Sequence, residues 1–228
     1  MLADLWHALV LIVTADSEVW QVAGVSLQVS LVALAMAATV SLPLAYALGS
    51  SRRGIARVTS WVIHTATALP TVVVGLTLYF VLSASGPLGW MNLLYTRTAM
   101  TIGQFILAVP IVTAIGLVAL RRLGPEVRET IRTLGLPSMT AMRLSLGEIR
   151  PALVSGLLLA FARVFTELGA AIILGGNIRG ATRTLTTVIA LEHDRGDSAR
   201  AMALGILLML IALAVNAFAH RASPETRP

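Results

Sequence analysis

Five apolar stretches of this chain are each long enough to cross the hydrocarbon core of a bilayer, and they constrain its fold more than any other feature. A spanning helix needs about 20 mostly apolar residues, because it rises about 1.5 Å per residue through a core about 30 Å thick. Of the 228 residues, 57% are hydrophobic and 12% are charged, whereas a soluble domain has about 45–50% and about 25%. The sequence therefore predicts an all-α integral membrane protein that forms a single domain over residues 1–228. The predicted spans are Ser26–Leu48, Thr59–Ser83, Thr101–Leu120, Ala152–Leu174 and Ala201–Ala219.

Prolines interrupt the first three of these spans, at Pro43, Pro70 and Pro110. A proline removes a helical hydrogen bond, but a spanning helix tolerates this loss when neighbouring helices satisfy the freed backbone group. We therefore expect kinked helices packed in a bundle.

The basic residues are distributed unevenly between alternate loops. All 17 of them are arginines, and eleven fall on one side of the predicted spans, against five on the other. Because cytoplasmic loops carry the excess of Arg, the N-terminus is predicted to lie outside and the C-terminus in the cytoplasm of a bacterial or archaeal plasma (inner) membrane. The same placement indicates membrane topology and no nucleic-acid partner. The eleven are Arg52, Arg53, Arg57, Arg121, Arg122, Arg128, Arg132, Arg143, Arg150, Arg221 and Arg227.

Residue types that the chain lacks exclude several functions. It has no Lys, which a Walker phosphate-binding loop requires, so it is not an ATPase. It has no Cys, and its four His residues are scattered without the spacing of metal ligands. We therefore expect neither a catalytic residue nor a metal site, and we predict that the chain is not an enzyme.

The N-terminal segment Leu2–Val22 is largely apolar, but Asp16 and Glu18 interrupt it. No Arg precedes its apolar stretch, so it lacks the basic region of a cleavable signal peptide and is interpreted as mature protein. Residues 1–22 are predicted to form an interfacial helix, with Trp6 and Trp20 at the depth of the lipid headgroups. The alternative is that this segment is a sixth span.

The longest predicted cytoplasmic stretch, residues 121–150, has apolar residues at helical spacing. Gly135 and Pro137 lie between two such patterns, where Gly suits the end of one helix and Pro the start of the next. The sequence therefore predicts a helix, a sharp turn at Gly135 and a second helix. Such a surface fits the groove of a partner protein, although two helices lying on the membrane would show the same pattern. The apolar residues are Val127, Ile131 and Leu134 in the first helix and Met139, Met142 and Leu146 in the second.

This stretch also resembles a known motif. The segment ETIRTLGLPSMTAMRLSLGEIRP is similar to the EAA loop of ABC importer permeases, in which Glu-Ala-Ala is followed after three residues by Gly. Glu129 and Gly135 match the Glu and Gly of the motif. Leu144 and Leu146 resemble the apolar pair near its end. The departures are Thr130 and Ile131 in place of the two Ala, and Gly147 in place of a Pro.

The resemblance includes position, because the loop of that family also lies between the third and fourth helices of a five-helix core. It implies a type I ABC importer permease with residues 121–150 as its coupling loop. In such a transporter two permease subunits, here a homodimer, form the pathway, and separate cytoplasmic ATPases hold ATP and Mg, so no cofactor is expected in this chain. An extracytoplasmic binding protein delivers the substrate. The residues expected to couple the chain to the ATPase are Glu129, Gly135, Met139, Met142 and Leu146.

Span four carries two charges near its middle, Arg163 and Glu167. They are four residues apart on one helix face, so they can form an ion pair. Each charge costs about 2.5–3.5 kcal/mol at the centre of a bilayer, so this face should be buried in the bundle or line an aqueous cavity. The pair is interpreted either as part of the translocation pathway or gate, or as a structural pair that locks span four to span two or five. His64 in span two is expected to be a hydrogen-bonded core residue.

The region that follows Glu167 indicates the substrate. The sequence ELGAAIILGGN resembles the permeases of tungstate importers and, more loosely, those of molybdate and sulfate importers, which share a Glu-x-Gly-Ala run and a Gly-Asn pair. The resemblance implies an oxyanion importer, with tungstate first and molybdate or sulfate as alternatives. The matching residues are Glu167, Gly169, Ala170, Gly176 and Asn177.

Several residues of this region suit an anion on physical grounds. Gly175 and Gly176 let the backbone turn and expose amides, and Arg179 and Arg183 add positive potential. Together with Asn177, Arg163 and Glu167, these four are the candidate pathway or gate residues. The alternatives are that both arginines are ordinary loop charges or contacts for the binding protein, and that the nearby threonines only cap a short re-entrant helix.

A secondary transporter is the alternative from another class, with Arg163, Glu167 and His64 as its coupling groups. Many such transporters are built from inverted repeats with discontinuous helices at the substrate site. The chain shows no convincing internal repeat, which argues against this alternative.

Overall fold

The computed structural model describes residues 17–50 and 54–222, and every regular element within those ranges is helical. The helices pack into a bundle in which the main partners are distant in sequence, such as Ser17–Ser50 with Arg97–Arg121 and Thr71–Leu82 with Gly169–Gly175. The helices are α1 Ser17–Ser50, α2 Gly54–Ala66, α3 Thr71–Leu82, a short 3-10 helix Gly89–Met91, α4 Arg97–Arg121, α5 Pro125–Thr133, α6 Ser138–Glu148, α7 Arg150–Phe165, α8 Gly169–Gly175, α9 Leu185–Asp194 and α10 Ser198–Ala222.

Among the described residues, α1, α4 and α10 are each long and apolar enough to cross a bilayer. Two bent pairs bring the number of spans to as many as five, since α2 with α3 and α6 with α7 pass the same test. The prediction of an all-α membrane protein with about five spans is therefore confirmed. Predicted span four itself consists of α7 and α8, with residues 166–168 as a break between them.

The second span is broken at Pro70, not merely kinked as the sequence predicts. The axes of α2 and α3 differ by 95°, and Pro70 has an extended conformation immediately before α3. Close packing fixes the new direction, because a Cβ on Gly75 would lie 2.9 Å from the Cα of Ala170 in α8. By contrast, Pro43 and Pro110 leave α1 and α4 continuous.

A stripe of small residues holds α1 against α4. Ala33, Ala37, Ser41 and Ala45 recur at every fourth position of α1, and all four are fully buried. Gly116 of α4 approaches this stripe so closely that an added Cβ would lie 3.1 Å from the Cβ of Ala45. Small residues that let helix backbones approach closely are the usual means of packing helices within a membrane. These two helices therefore form the centre of the bundle.

Helix α1 begins before the span that the sequence predicts. Residues 17–22 form its first turns, whereas the sequence assigns them to a separate interfacial segment, and residues 1–16 lie outside the described residues. Val19 and Val22 are buried in a core cluster with Phe161 and Leu204. This packing stabilises the first turns of α1. The charge of Glu18 within them is compensated by three arginines.

The bundle has two ends, which we call the Glu18 end and the Gly135 end after one residue at each. Arg97 at the start of α4 donates to the Ala181 carbonyl, which places that start, residues 176–184 and the start of α1 together at the Glu18 end. At the opposite end Arg128 of α5 donates to the Leu120 carbonyl. The arginines of residues 121–150 thus lie at the Gly135 end, while Arg52, Arg53 and Arg227 lie outside the described residues.

Candidate functional site

The turn between α5 and α6 is the most exposed feature of the Gly135 end. Gly135 has a φ of +59°, a left-handed conformation that only Gly adopts without strain. Nothing lies within 4 Å of the position that a Cβ on Gly135 would take. The predicted helix, turn at Gly135 and second helix are therefore confirmed.

The side chains predicted to couple the chain to an ATPase point in different directions. Glu129 is exposed and Met139 is 57% exposed, whereas Met142 is half-buried. Leu146 packs against the core cluster of Leu117, Leu120 and Ile149 at the base of the loop. The exposed part, which we call the coupling surface, consists of Glu129, Leu134, Gly135 and Met139.

A small cavity of about 80 Å³ lies between α5, α6 and the ends of α1 and α4. Its walls include Tyr46 and Gly49 of α1, Leu120 of α4, Ile131 of α5 and Ser145 of α6. The α5–α6 pair therefore lies across the ends of the central helices instead of being packed fully into them.

The ion pair predicted in span four is present. Arg163 Nη1 lies 2.9 Å from Glu167 Oε2, although α7 ends at Phe165 and Glu167 lies in the connection to α8. The two partners differ in environment, because the Arg163 side chain is 51% exposed and that of Glu167 is 4% exposed.

Glu167 joins three helices. Its Oε1 accepts a hydrogen bond from the Ala170 amide of α8, and its backbone carbonyl accepts one from Thr186 Oγ1 of α9. With the Arg163 bond, these contacts tie the end of α7 to α8 and α9. Glu167 thus has structural contacts, but they tie α7 to α8 and α9 and not span four to span two or five.

His64 differs from the sequence-based expectation. It is exposed on α2 and is not a core residue, because it borders open space instead of packed helices. It lines an open cleft between α2, α4 and α7.

Gly175 and Gly176 serve close packing. A Cβ on Gly175 would lie 2.6 Å from the sulfur of Met100, and one on Gly176 would lie 2.7 Å from the Tyr95 ring. The Gly176 amide donates to the Ile172 carbonyl, so it is engaged within the helix and does not face an anion. Asn177 is also engaged, since its Oδ1 accepts from Thr187 Oγ1 at 3.0 Å.

The threonines of this region cap α9, as one alternative from the sequence predicts. Thr184 and Thr187 form a reciprocal capping box at the start of α9. Thr182 Oγ1 bridges the Gly175 carbonyl and the Ile178 amide. Residues 176–184 therefore form a loop that is closed by its own hydrogen bonds.

A cluster of charges that sequence reasoning missed holds the Glu18 end together. The Glu18 carboxylate accepts hydrogen bonds from Arg179 at 2.8 Å, Arg183 at 3.0 Å and Arg200 at 2.9 Å. Burial disfavours the charged carboxylate, but hydrogen bonds and charges from Arg179 and Arg200 outweigh it and hold the pKa of Glu18 below its ordinary value. The sequence signal for this cluster was Glu18, a single Glu in an apolar segment, together with more Arg than acidic residues in the distant loops.

The bundle with a helical turn at one end has the fold of solved ABC importer chains. The fold is shared with the inward-facing MetNI methionine ABC transporter, at a TM-score of 0.70, 16% identity and coverage of 91% of this chain and 93% of that one. It is also shared with a bacterial ABC transporter that imports the acidic polysaccharide alginate, at a TM-score of 0.76, 18% identity and coverage of 97% and 84%. At these identities the likeness shows the fold alone.

The family follows from the sequence comparisons. Residues 41–228 match the family described as binding-protein-dependent transport system inner membrane component, and the chain belongs to that family. It is 37% identical over 218 residues to the tungstate uptake system permease protein TupB of Peptoclostridium acidaminophilum, which covers 96% of both chains. It is 38% identical over 210 residues to a probable anion ABC transporter permease protein of Haloferax volcanii, which covers 90% of both chains. The chain is thus a multi-pass permease of the ABC importer type, a class of transport subunits that are not themselves enzymes.

Proposed function

We propose that this chain is the permease subunit of a tungstate importer in which a separate cytoplasmic ATPase drives transport. The observation that carries the proposal is the 37% identity to a tungstate uptake permease over 96% of both chains. Molybdate is the second substrate that we expect, because both ions are tetrahedral dianions of nearly the same size. Relatives named for molybdenum and sulfate transport are consistent with this class of substrate.

In the proposed mechanism two copies of the chain form the pathway, and an extracytoplasmic binding protein delivers the oxyanion. The coupling surface enters a cleft on the ATPase. When the ATPases close, α5 and α6 move with them, and the bend of 79° between α6 and α7 transfers this movement to span four. A rigid-body change of this kind switches the pathway between inward and outward openings.

The orientation that we propose has the Glu18 end outside and the Gly135 end in the cytoplasm. It rests on the positive-inside rule, because the Arg-rich residues 121–150 are at the Gly135 end. A reporter fused to the C-terminus should then be cytoplasmic, and one fused to the N-terminus external. A cytoplasmic N-terminal reporter would contradict this topology.

Uptake by cells that carry only this transporter tests the proposed substrate. Labelled tungstate should accumulate, and unlabelled tungstate and molybdate should compete for uptake much better than phosphate does. In a matched control strain, the Lys of the ATPase's Walker phosphate-binding loop is substituted. The uptake that this strain loses is the part that requires ATP hydrolysis. A transporter that carries amino acids or sugars and ignores tungstate would overturn the proposal.

A further inference from the structure

Arg163 has hydrogen-bonding capacity that the fold does not use. Its side chain is 51% exposed, and among the described residues Glu167 is its only hydrogen-bond partner. Arg163 also lies near mid-depth of the bundle, because it lines a cavity with Leu107 and Ile111 from the middle of the 25-residue helix α4. A guanidinium at this depth is too costly to face lipid, so its exposed side should meet water or another polar group.

Two adjoining cavities provide such an environment. A narrow one lies between Arg163, Glu167 and the break of the second span at Thr67 and Leu69. A larger cleft of about 450 Å³ shares Thr67 and Ile111 with the first. Since the two cavities share these walls, they lie side by side, and the larger cleft reaches the part of the bundle that Arg163 lines.

The polar side chains that line the two cavities favour an anion. The larger cleft is lined by His64, Thr67 and Arg122, with apolar residues between them and no acidic side chain among its lining residues. Glu167 is the one carboxylate in the narrow cavity, and its bonds to Arg163 and to the Ala170 amide compensate its charge. Low-dielectric walls strengthen the potential of the positive groups in such a cleft.

We propose that Arg163 contacts the transported tetrahedral oxyanion as it passes the break of the second span, and that Glu167 is a positioning residue. The bond to Glu167 Oε2 fixes one edge of the guanidinium and leaves its other N–H groups to donate to oxyanion oxygens. His64, Thr67 and Arg122 line the cytoplasmic approach to this contact. The inference rests on the proposed function, because it takes the substrate to be an oxyanion.

Cysteine labelling tests access to the two cavities directly, because the chain has no Cys of its own. The variant Thr67→Cys leaves the Arg163–Glu167 pair intact, and in the assembled transporter its thiol should react with a water-soluble cationic methanethiosulfonate. Tungstate should slow this reaction at least severalfold. The control is Leu213→Cys on α10, which is 59% exposed and should face lipid, so it should stay unlabelled. Equal labelling of both variants, or a Thr67→Cys reaction that no oxyanion slows, would overturn the inference.

A matched pair of double variants tests Arg163 itself. Arg195 and Glu192 form an ion pair outside the cleft that matches the first in burial, with exposures of 57% and 5%, at a longer distance of 3.4 Å. The double variant Arg163→Gln with Glu167→Gln leaves no buried charge, and the transport rate per permease should fall about tenfold or more, as expected for a lost charge-assisted hydrogen bond. Arg195→Gln with Glu192→Gln should transport at close to the wild-type rate. Equal rates for both double variants, at equal amounts in the membrane, would show that Arg163 does not contact the substrate.

The two proposals can fail separately. If wild-type cells take up no tungstate but molybdate or sulfate protects Thr67→Cys from labelling, the tungstate assignment fails and the Arg163 contact stands. If wild-type cells take up tungstate while no oxyanion protects Thr67→Cys, the Arg163 contact fails alone.

Discussion

The two ends of the bundle use their polar residues in opposite ways. At the Glu18 end, one carboxylate accepts from Arg179, Arg183 and Arg200, and the loop 176–184 is closed by its own hydrogen bonds. At the Gly135 end, Leu134 and Met139 are 58% and 57% exposed on either side of Gly135, where nothing lies within 4 Å of an added Cβ.

This difference indicates that the two ends have different roles. The Glu18 end fixes the positions of three elements that are far apart in the sequence, so it should resist movement. The Gly135 end leaves apolar side chains uncovered at a sharp turn, which suits the groove of a partner. One end is therefore expected to matter for stability and the other for coupling.

The largest expected effect comes from substituting Gly135 with Val. Its φ of +59° would strain any residue with a Cβ by about 1–2 kcal/mol, and the coupling surface would change shape. We expect the membrane bundle to fold and the ATPase to hydrolyse ATP, while transport falls to background. Glu129→Lys, on the same surface, should act in the same direction. Parallel assays of ATP hydrolysis and transport in proteoliposomes measure the coupling.

The matched control for Gly135 is Gly180 at the other end. It has a φ of +76° and likewise no atom within 4 Å of an added Cβ, so Gly180→Val introduces the same backbone strain. Transport per ATP should stay near the wild-type value in this variant. Uncoupling by both variants would mean that strain alone, and not the coupling surface, causes the loss.

The Arg163–Glu167 pair should respond unequally to the loss of either partner. Arg163→Gln leaves a Glu167 that is 4% exposed without its cation, which should cost about 3 kcal/mol. Glu167→Gln leaves Arg163, which is half-exposed and can be hydrated, so the cost should be about 1 kcal/mol. The double variant should be more stable than Arg163→Gln. Denaturant unfolding in detergent gives the three values, and equal losses for the two single variants would contradict the account.

Removing the carboxylate of the Glu18 cluster should destabilise the bundle without uncoupling it. Glu18→Gln removes the carboxylate that Arg179, Arg183 and Arg200 share among the described residues, which should cost about 2 kcal/mol. Because the pKa of Glu18 is lowered in the fold, this stabilisation is present above the ordinary carboxyl pKa and is lost as the pH falls through the lowered value. We expect the difference in stability between wild type and Glu18→Gln to stay constant near neutral pH and to shrink at acidic pH. Thermal unfolding across this pH range measures it.

The smallest effect is expected from Arg179→Gln. This side chain is 73% exposed, whereas Arg183 is 14% exposed at the same carboxylate. Exposed ion pairs contribute little, so Arg179→Gln should change the free energy of unfolding by about 0.5 kcal/mol or less. A loss as large as that from Glu18→Gln would mean that the cluster acts as one unit.

Features set by local spacing could be predicted from the sequence. The long apolar runs gave α1, α4 and α10, and the repeats around Gly135 gave the helical turn between α5 and α6. The spacing of Arg163 and Glu167 gave their ion pair. In each case the residues that determine the outcome are close together in the sequence.

Features set by distant contacts could not be predicted. Glu18 and Arg200 are 182 residues apart, and no local pattern pairs them. The bend at Pro70 depends on Gly75 packing against Ala170 of another helix. His64, which the sequence assigns to the core, instead lines an open cleft whose other walls come from distant residues of α4 and α7.

Cross-linking tests most directly the claim that the Gly135 end receives the ATPase. In the cysteine-free chain, Met139→Cys provides one thiol on the coupling surface, and Ile178→Cys, which is 45% exposed, provides one at the Glu18 end. We predict that a short thiol-to-amine cross-linker joins the ATPase to Met139→Cys in the assembled transporter and leaves Ile178→Cys unlinked to it. An ATPase that links to Ile178→Cys, or to neither variant in a complex that is still intact, would contradict the account.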